Sequence, residues 1–411
     1  MSTAENPGIL PPLGALLLGT HPLRRNDLEA DTTALLPTAL RDPRTRVLTL
    51  DAEGRAPIRR LPEAAEDATA GAAPAAARDG ARAEIAWSGP AQVSGPLAHL
   101  GLTADGAPVL LALPAAEMTG EASTATTVET ADGSSAALAR ASTPAEEAGD
   151  PYQDRGQRPG PTPEQLSEDA PGASAAAAPP RRLGLREAAE MLDPEQTGWF
   201  TAGLALYRWH EQARHCPRCG APTDPVRAGW ARTCTAEGTE LFPRTDPAII
   251  AAVVHTDEHG EERILLGRSA RWPADRYSTF AGFVEAGESL EAAVAREVGE
   301  EAGVRVVRAE YRGSQPWPFP RSLMLGFRAV VAEPGAARPD GTEIARVRWF
   351  TRRELAAQVR AGRVRLPGPV SIAHHLIADW YGGTLPEKVP QNPPEKAPET
   401  LPQNPEDDST R

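Results

Sequence analysis

Cysteine is nearly absent, with three residues in 411. Two of them share a C-x-x-C spacing, which is too little for a disulfide framework and points to a reducing, cytoplasmic compartment. Aromatic residues are also scarce, at 5% against 42 prolines, as expected if part of the chain does not build a core. An excess of positive charge is missing. The net charge of -13 argues against broad electrostatic binding of nucleic acid or anionic membrane and leaves room only for a local basic patch. No apolar run reaches transmembrane length, and PLGALLLG is too short for the core of a signal peptide.

What is present divides the chain by composition. Residues 1–114 read as a β-rich N-terminal domain. There, VLTLD (47–51) and API (56–58) flank a turn at Ala52 to Arg55, and LAHLGLT and PVLLAL surround the turn dipeptide Asp105-Gly106. Residues 115–181 hold Ala, Ser, Thr, Pro, Gly and Glu with almost no large apolar side chains, the composition of a disordered insertion. A helical hairpin is expected at 182–214, with Leu185, Ala188, Ala189 and Leu192 on one helix face and Ala202, Ala205, Leu206 and Trp209 on another. Past Pro386 the sequence PQNP occurs twice among Glu and Lys, so 385–411 reads as a disordered Pro-rich tail.

Between these lies a segment dense in chemistry. Residues 282–304 read GFVEAGESLEAAVAREVGEEAGV. Ser289 suits a helix N-cap, Leu290, Val294 and Val298 recur at helical intervals, and Gly303 suits the stop. On such a helix Glu297, Glu300 and Glu301 stand at i, i+3 and i+4 and share one face. Three adjacent carboxylates repel one another unless hard divalent cations that prefer oxygen ligands, Mg2+ or Mn2+, neutralise them. Upstream, Cys216-Pro-Arg-Cys219 followed by Cys234 provides three of the four thiolates of a tetrahedral zinc site. Glu237 stands where a fourth cysteine would, and His215 and Glu240 are the other nearby donors. One structural Zn2+ per chain, or an empty ribbon held by Trp230 and Phe242, are both open.

The 282–304 segment fills every fixed position of the Nudix box, with Gly282, Glu288, Arg296, Glu297, Val298, Glu300, Glu301, Gly303 and Val304 in register. Further on, Ser314-Gln315-Pro316-Trp317-Pro318-Phe319-Pro320-Arg321-Ser322 resembles the SQPWPFPxS mark of NADH pyrophosphatases, the NAD diphosphatase branch of that superfamily. Its prolines fix φ and would present an aromatic ring in a rigid loop for a planar base to stack on.

The resemblance runs from about Leu185 to Trp380. It implies an α/β fold in which a Nudix α/β/α sandwich (243–384) follows the β-rich domain and a zinc-ribbon-like connector (215–242). It also implies catalytic roles for Glu288, Arg296, Glu297, Glu300 and Glu301. Glu297, Glu300, Glu301 and Glu343 would be Mg2+ or Mn2+ ligands, and Phe283, Trp317 and Ser322 would contact the dinucleotide. The implied reaction is cleavage of the NAD(H) diphosphate to nicotinamide mononucleotide and AMP, with NAD-capped RNA as a second substrate. The implied assembly is a homodimer; no membrane partner is expected, from the net charge and the lack of a transmembrane-length run. A Nudix activity on ADP-ribose or coenzyme A, and a catalytically dead nucleotide-binding regulator, are the alternatives. The first leaves SQPWPFP unexplained, and the second usually loses box glutamates, none of which is lost here.

Overall fold

The computed structural model describes residues 16, 18, 32–61, 82–114 and 179–389. The insertion and most of the Pro-rich tail expected from composition lie outside the described residues.

Short strands and one long helix build the first layer. Helix α1 (Thr32–Arg41) precedes β1 (Arg46–Leu48), β2 (Ala56–Arg60), β3 (Ala83–Ile85), β4 (Leu97–Leu102), β5 (Pro108–Ala112) and β6 (Arg181–Leu183). These form two three-stranded sheets, ordered β1-β5-β4 and β3-β2-β6. The hairpin around Asp105-Gly106 is present as antiparallel β4 and β5. The expected pairing of 47–51 with 56–58 is not. β1 runs parallel to β5, whereas β2 pairs with β3 and β6, so the intervening turn carries the chain from one sheet to the other.

The expected helical hairpin is likewise altered. Residues 181–183 extend the second sheet, and the first helix is a single turn, α2 (Leu185–Ala188), before α3 (Pro194–Gln212). Asp193 caps α3 by accepting from the Gln196 N–H, with Pro194 at its first position. Trp199, Phe200, Leu204, Leu206 and Tyr207 are all buried, in one core with residues of both sheets and with Trp230 and Leu241 further along the chain, so α3 is covered nearly all round.

The ribbon comprises β7 (Thr223–Val226), β8 (Ala231–Cys234) and β9 (Glu240–Leu241) in one antiparallel sheet. Trp230 anchors it to the first layer, its Nε1 donating to the His99 carbonyl at 2.7 Å. Phe242 does not share that packing, being 58% exposed.

A six-stranded mixed sheet completes the fold. It contains β10 (Asp246–Thr256), β11 (Glu262–Ser269), β12 (Phe280–Phe283), β13 (Val306–Trp317), β14 (Ser322–Val331) and β15 (Ile344–Phe350). The order is β13-β14-β10-β11-β15, with β12 also pairing β10, and only β10 and β14 run parallel. Strict alternation along β10 feeds two cores. Ile249, Ala251 and Val253 pack with Val294 and Val298 of helix α4 (Leu290–Ala302) on one face. On the other, Ala248, Ile250, Ala252 and Val254 pack with Leu355 of α5 (Arg352–Arg360) and with Ile372, Leu376 and Trp380 of α6 (Ile372–Tyr381). This is the expected α/β/α sandwich. The capping box of Thr351 with Glu354 starts α5.

Candidate active site

The glycine that begins the box leaves room for a box carboxylate, which any larger residue would push aside. A Cβ on Gly282 would stand 1.9 Å from the Glu297 carboxylate carbon. Ser289 then caps α4 by accepting from the Ala292 N–H, and Gly303 ends it in the left-handed conformation at φ 67°. Gly299 disfavours the helix by about 1 kcal/mol relative to alanine. Burial of Val294 and Val298, each contributing about 1.5–3 kcal/mol, more than offsets it.

The three box glutamates do not share one environment. Glu300 faces solvent, Glu297 is half-buried, and Glu301 is only 8% exposed. Arg296 gathers the outer carboxylates: it donates to Glu288 at 2.9 and 3.0 Å, to Glu297 at 2.9 Å and to Glu300 at 3.1 Å. A further bond to the Phe283 carbonyl at 2.9 Å ties this fan to β12. The Arg296 hydrogen bonds hold Glu288 below the usual carboxylate range. Burial pushes Glu297 upward, partly offset by Arg296 and reinforced by Glu300 and Glu343. Glu301 has no such cation. Burial, then repulsion from Glu297 and Glu343, pushes its carboxyl up to about 9.

The donors suit a hard divalent cation. All are carboxylate oxygens, and Glu301 Oε2 is buried without a hydrogen-bond partner. Glu343 raises the pKa of both Glu297 and Glu301, and Glu297 raises that of Glu301, as groups around one small volume do. They are not drawn tight around a point, however. Among the described residues, the three cysteines alone bring their ligand atoms within 4.8 Å of one another. Arg296 holds Glu297 and Glu300 to itself.

Glu301 and Glu343 line a cavity of about 320 Å³, together with Thr279, Gln315, Trp317 and Arg186. That volume lies within the range of small-ligand sites. Gln315 is fully buried and ties β13 to the start of α6. Its Nε2 donates to the Val370 carbonyl, and its Oε1 accepts from the Ile372 N–H, both at 2.8 Å. Trp317 is not displayed in a free loop as its prolines suggested. Ser314 to Trp317 complete β13, and the Trp317 ring packs edge-on to Phe319 at 5.1 Å. The Arg186 guanidinium lies 4.9 Å from Trp317 and 4.3 Å from Phe319, and Arg208 covers Phe319 at 5.1 Å. The first layer therefore clasps this segment and leaves part of Trp317 toward the cavity.

Two expected contacts lie elsewhere. Phe283 is half-buried against the α6-side core, and Ser322 is buried opposite Trp317 at the start of β14; neither lines the cavity. Thr279, Trp272, Arg276 and Arg186 do line it and were not singled out from the sequence. They sit outside the box and outside SQPWPFP; of the lining residues given no role from the sequence, Gln315 lay inside a recognised motif.

In the ribbon, Cys216 and Cys234 are buried, Cys219 is exposed, and the Cys219 and Cys234 sulfurs are 3.4 Å apart. Three convergent thiols suit zinc. Glu237 is not drawn in: its carboxylate faces Arg218 at 3.7 Å, and only its backbone N–H points to the Cys234 sulfur, at 3.4 Å. Glu240 is paired with Arg227 at 2.8 Å, and His215 is not in the group.

Sheet, box helix and ribbon together define a known class. The NUDIX domain model matches residues 246–366, and the NADH pyrophosphatase zinc ribbon domain model matches 211–242. The chain therefore carries a Nudix domain preceded by an NADH pyrophosphatase zinc ribbon domain. Among curated relatives, an NAD-capped RNA hydrolase NudC from Mycobacterium tuberculosis is 43% identical over 210 residues. The match covers 49% of this chain and 66% of that protein. The human NAD-capped RNA hydrolase NUDT12 is 36% identical over 200 residues, covering 46% of this chain and 42% of the relative. The chain thus spans somewhat under two thirds of the first relative's length and less than half of the second's. A crystal structure of a NUDIX hydrolase from Nitrosomonas europaea aligns at TM-score 0.31 and 21% identity, over 43% of this chain and 97% of its own. Among the described residues, no helix is long and apolar enough to cross a membrane.

Proposed function

We propose that the chain hydrolyses the central diphosphate of NAD(H) to nicotinamide mononucleotide and AMP, and removes NAD caps from RNA by the same cleavage. The observation that supports this is a cavity onto which Glu301 and Glu343 open beside Gln315 and Trp317 of the SQPWPFP segment. The names of the curated relatives agree with it.

In this reading Glu297, Glu300, Glu301 and Glu343 hold Mg2+ or Mn2+, and Arg296 with Glu288 orients the outer carboxylates. The bound cation would neutralise diphosphate charge and make a bound water more acidic. Trp317 offers its open face to a base of the dinucleotide. Water attacks one phosphorus, and its oxygen stays there. The bond to the bridging oxygen breaks, that oxygen leaves with the other nucleotide, and the proton passes to Glu343 or to a box glutamate not engaged by cation. Phe283 and Ser322 then act through the walls of the site rather than by contact. The three cysteines hold a structural zinc, and the enzyme works as a cytoplasmic homodimer.

The test is incubation with NADH and Mg2+ or Mn2+ and identification of products by mass. Nicotinamide mononucleotide and AMP are expected. Intact NADH alongside cleaved ADP-ribose or coenzyme A would move the assignment to another Nudix substrate.

A further inference from the structure

The substrate cavity has a neighbour that the reaction itself does not use. Strand β15 is an edge of the six-stranded sheet, and on it Arg346 stands directly opposite Arg268 of β11, with Arg348 opposite Leu266. Leu266 belongs to the core on the α6 side, and the Arg348 guanidinium lies over Phe350 of that core at 4.6 Å. By alternation, Arg268, Arg346 and Arg348 therefore project from the same face of the sheet. The next cross-strand pair, Ser269 and Ile344, already lines the cavity. The arginines thus form a strip that starts at the cavity wall and runs away from it.

Their charge is not answered from within. Like charges directly opposite each other in a sheet are destabilising. Other arginines around this sheet have carboxylate partners: Arg263 with Asp257 and Glu261, Arg352 and Arg328 with Glu262. Among the described residues, Arg268, Arg346 and Arg348 have no ion pair. Arg268 donates only a long bond to the Trp272 carbonyl at 3.5 Å, and Glu354 senses Arg348 without pairing. Acids outnumber bases in this chain by 56 to 43, so the unmatched strip does not reflect a shortage of carboxylates. Arg346 and Arg348 are separated by two residues of strand, about 7 Å, an interval that a flexible polyphosphate backbone can follow.

We infer that this strip is the track for a single-stranded RNA whose 5′ cap occupies the cavity, with Arg268, Arg346 and Arg348 contacting the phosphates that follow the dinucleotide. This rests on the proposed NAD-cap reading and deepens it: free NAD(H) would use the cavity alone, and capped RNA would use the cavity and the strip.

The test compares wild type with an Arg268→Gln/Arg346→Gln/Arg348→Gln triple variant, in two measurements. The first is fluorescence anisotropy of a labelled, uncapped single-stranded oligoribonucleotide. If three phosphates are neutralised, affinity falls about 20-fold between 50 and 200 mM salt, from a slope of about -0.7 per phosphate. The triple variant should bind weakly and lose most of that slope. The second is hydrolysis, where KM for NAD-capped RNA should rise several-fold while NAD+ turnover stays unchanged. RNA binding and capped-RNA KM both indifferent to the triple substitution overturn the inference, as does an equal loss on NAD+ and capped RNA. Wild-type protein that cleaves neither substrate overturns the proposed function instead, and the anisotropy still decides whether the strip binds RNA. Should the triple variant not fold, Arg346→Gln alone, at an exposed position, is expected to remove about a third of the salt slope.

Discussion

Replacing Glu301 by glutamine separates the two things this residue does. In the protein without cations its carboxyl titrates near 9, against 4.5 for an ordinary glutamate, because it is buried and faces Glu297 and Glu343. The folded state therefore holds the proton more tightly than the unfolded chain. That stability is fully present below about 4.5 and is lost as pH rises toward about 9. At about 1.4 kcal/mol per pH unit, taking up that proton on folding costs about 3 kcal/mol at pH 7, where the unfolded chain has already released it. Glutamine mimics the protonated acid and removes this term. In chelator, Glu301→Gln should match wild type at pH 4 and melt higher at pH 7, by roughly 6–12 °C at 2–4 °C per kcal/mol. Adding Mg2+ or Mn2+ should reverse the order, raising the melting temperature of wild type and hardly moving the variant. Turnover should fall by orders of magnitude, since a neutral amide replaces a charged oxygen ligand. The measurement is thermal denaturation across pH with chelator or cation, alongside NADH turnover. Equal melting curves at pH 7 in chelator would refute the burial argument, and near-wild-type turnover would refute the ligand role.

Glu300→Gln should also lower kcat steeply, since a neutral amide again replaces a charged oxygen ligand; near-wild-type turnover would remove Glu300 from the ligand set. Gln315→Leu strands the Val370 carbonyl and the Ile372 N–H, so denaturant titration should show a loss of about 2–4 kcal/mol; a change below about 0.5 kcal/mol would mean the α6 loop does not depend on it. Freshly purified protein should hold about one zinc per chain by elemental analysis, and Glu237→Ala should keep it, because that carboxylate faces Arg218; zinc lost on that substitution would return Glu237 to the ligand set. Deleting residues 120–178 should leave melting temperature and turnover nearly unchanged, since their composition offers little to pack; a large fall in either would reveal a folded element there.

What the sequence determined by itself is local in origin. The 282–304 stretch specified its own helix: Ser289 and Gly303 set the ends, and the spacing of Val294 and Val298 set the buried face. Asp105-Gly106 set a hairpin, Thr351 and Glu354 set the start of α5, and the unbroken apolar run 248–254 marked a strand, which the fold covers on both faces. Such signals lie within a few residues of what they control. Partner choice over long separations was decided only by the tertiary structure. Three residues near 182 joined β2 instead of a helix, and residues 47–51 and 56–58 went to different sheets, because β1 pairs with β5 across 63 residues and β2 pairs with β6 across more than a hundred. The same holds within the site. Helical spacing put Glu297, Glu300 and Glu301 on one face, but burial against β12 and the reach of Arg296 decided that Glu301 alone turns into the cavity while Glu300 meets water. Trp317 was legible as a ring held by prolines, whereas its clasp by Arg186 depended on a helix about 130 residues earlier. The unanswered arginines of β11 and β15 show the limit most directly: nearly eighty residues apart in the chain, they become one surface only through strand register.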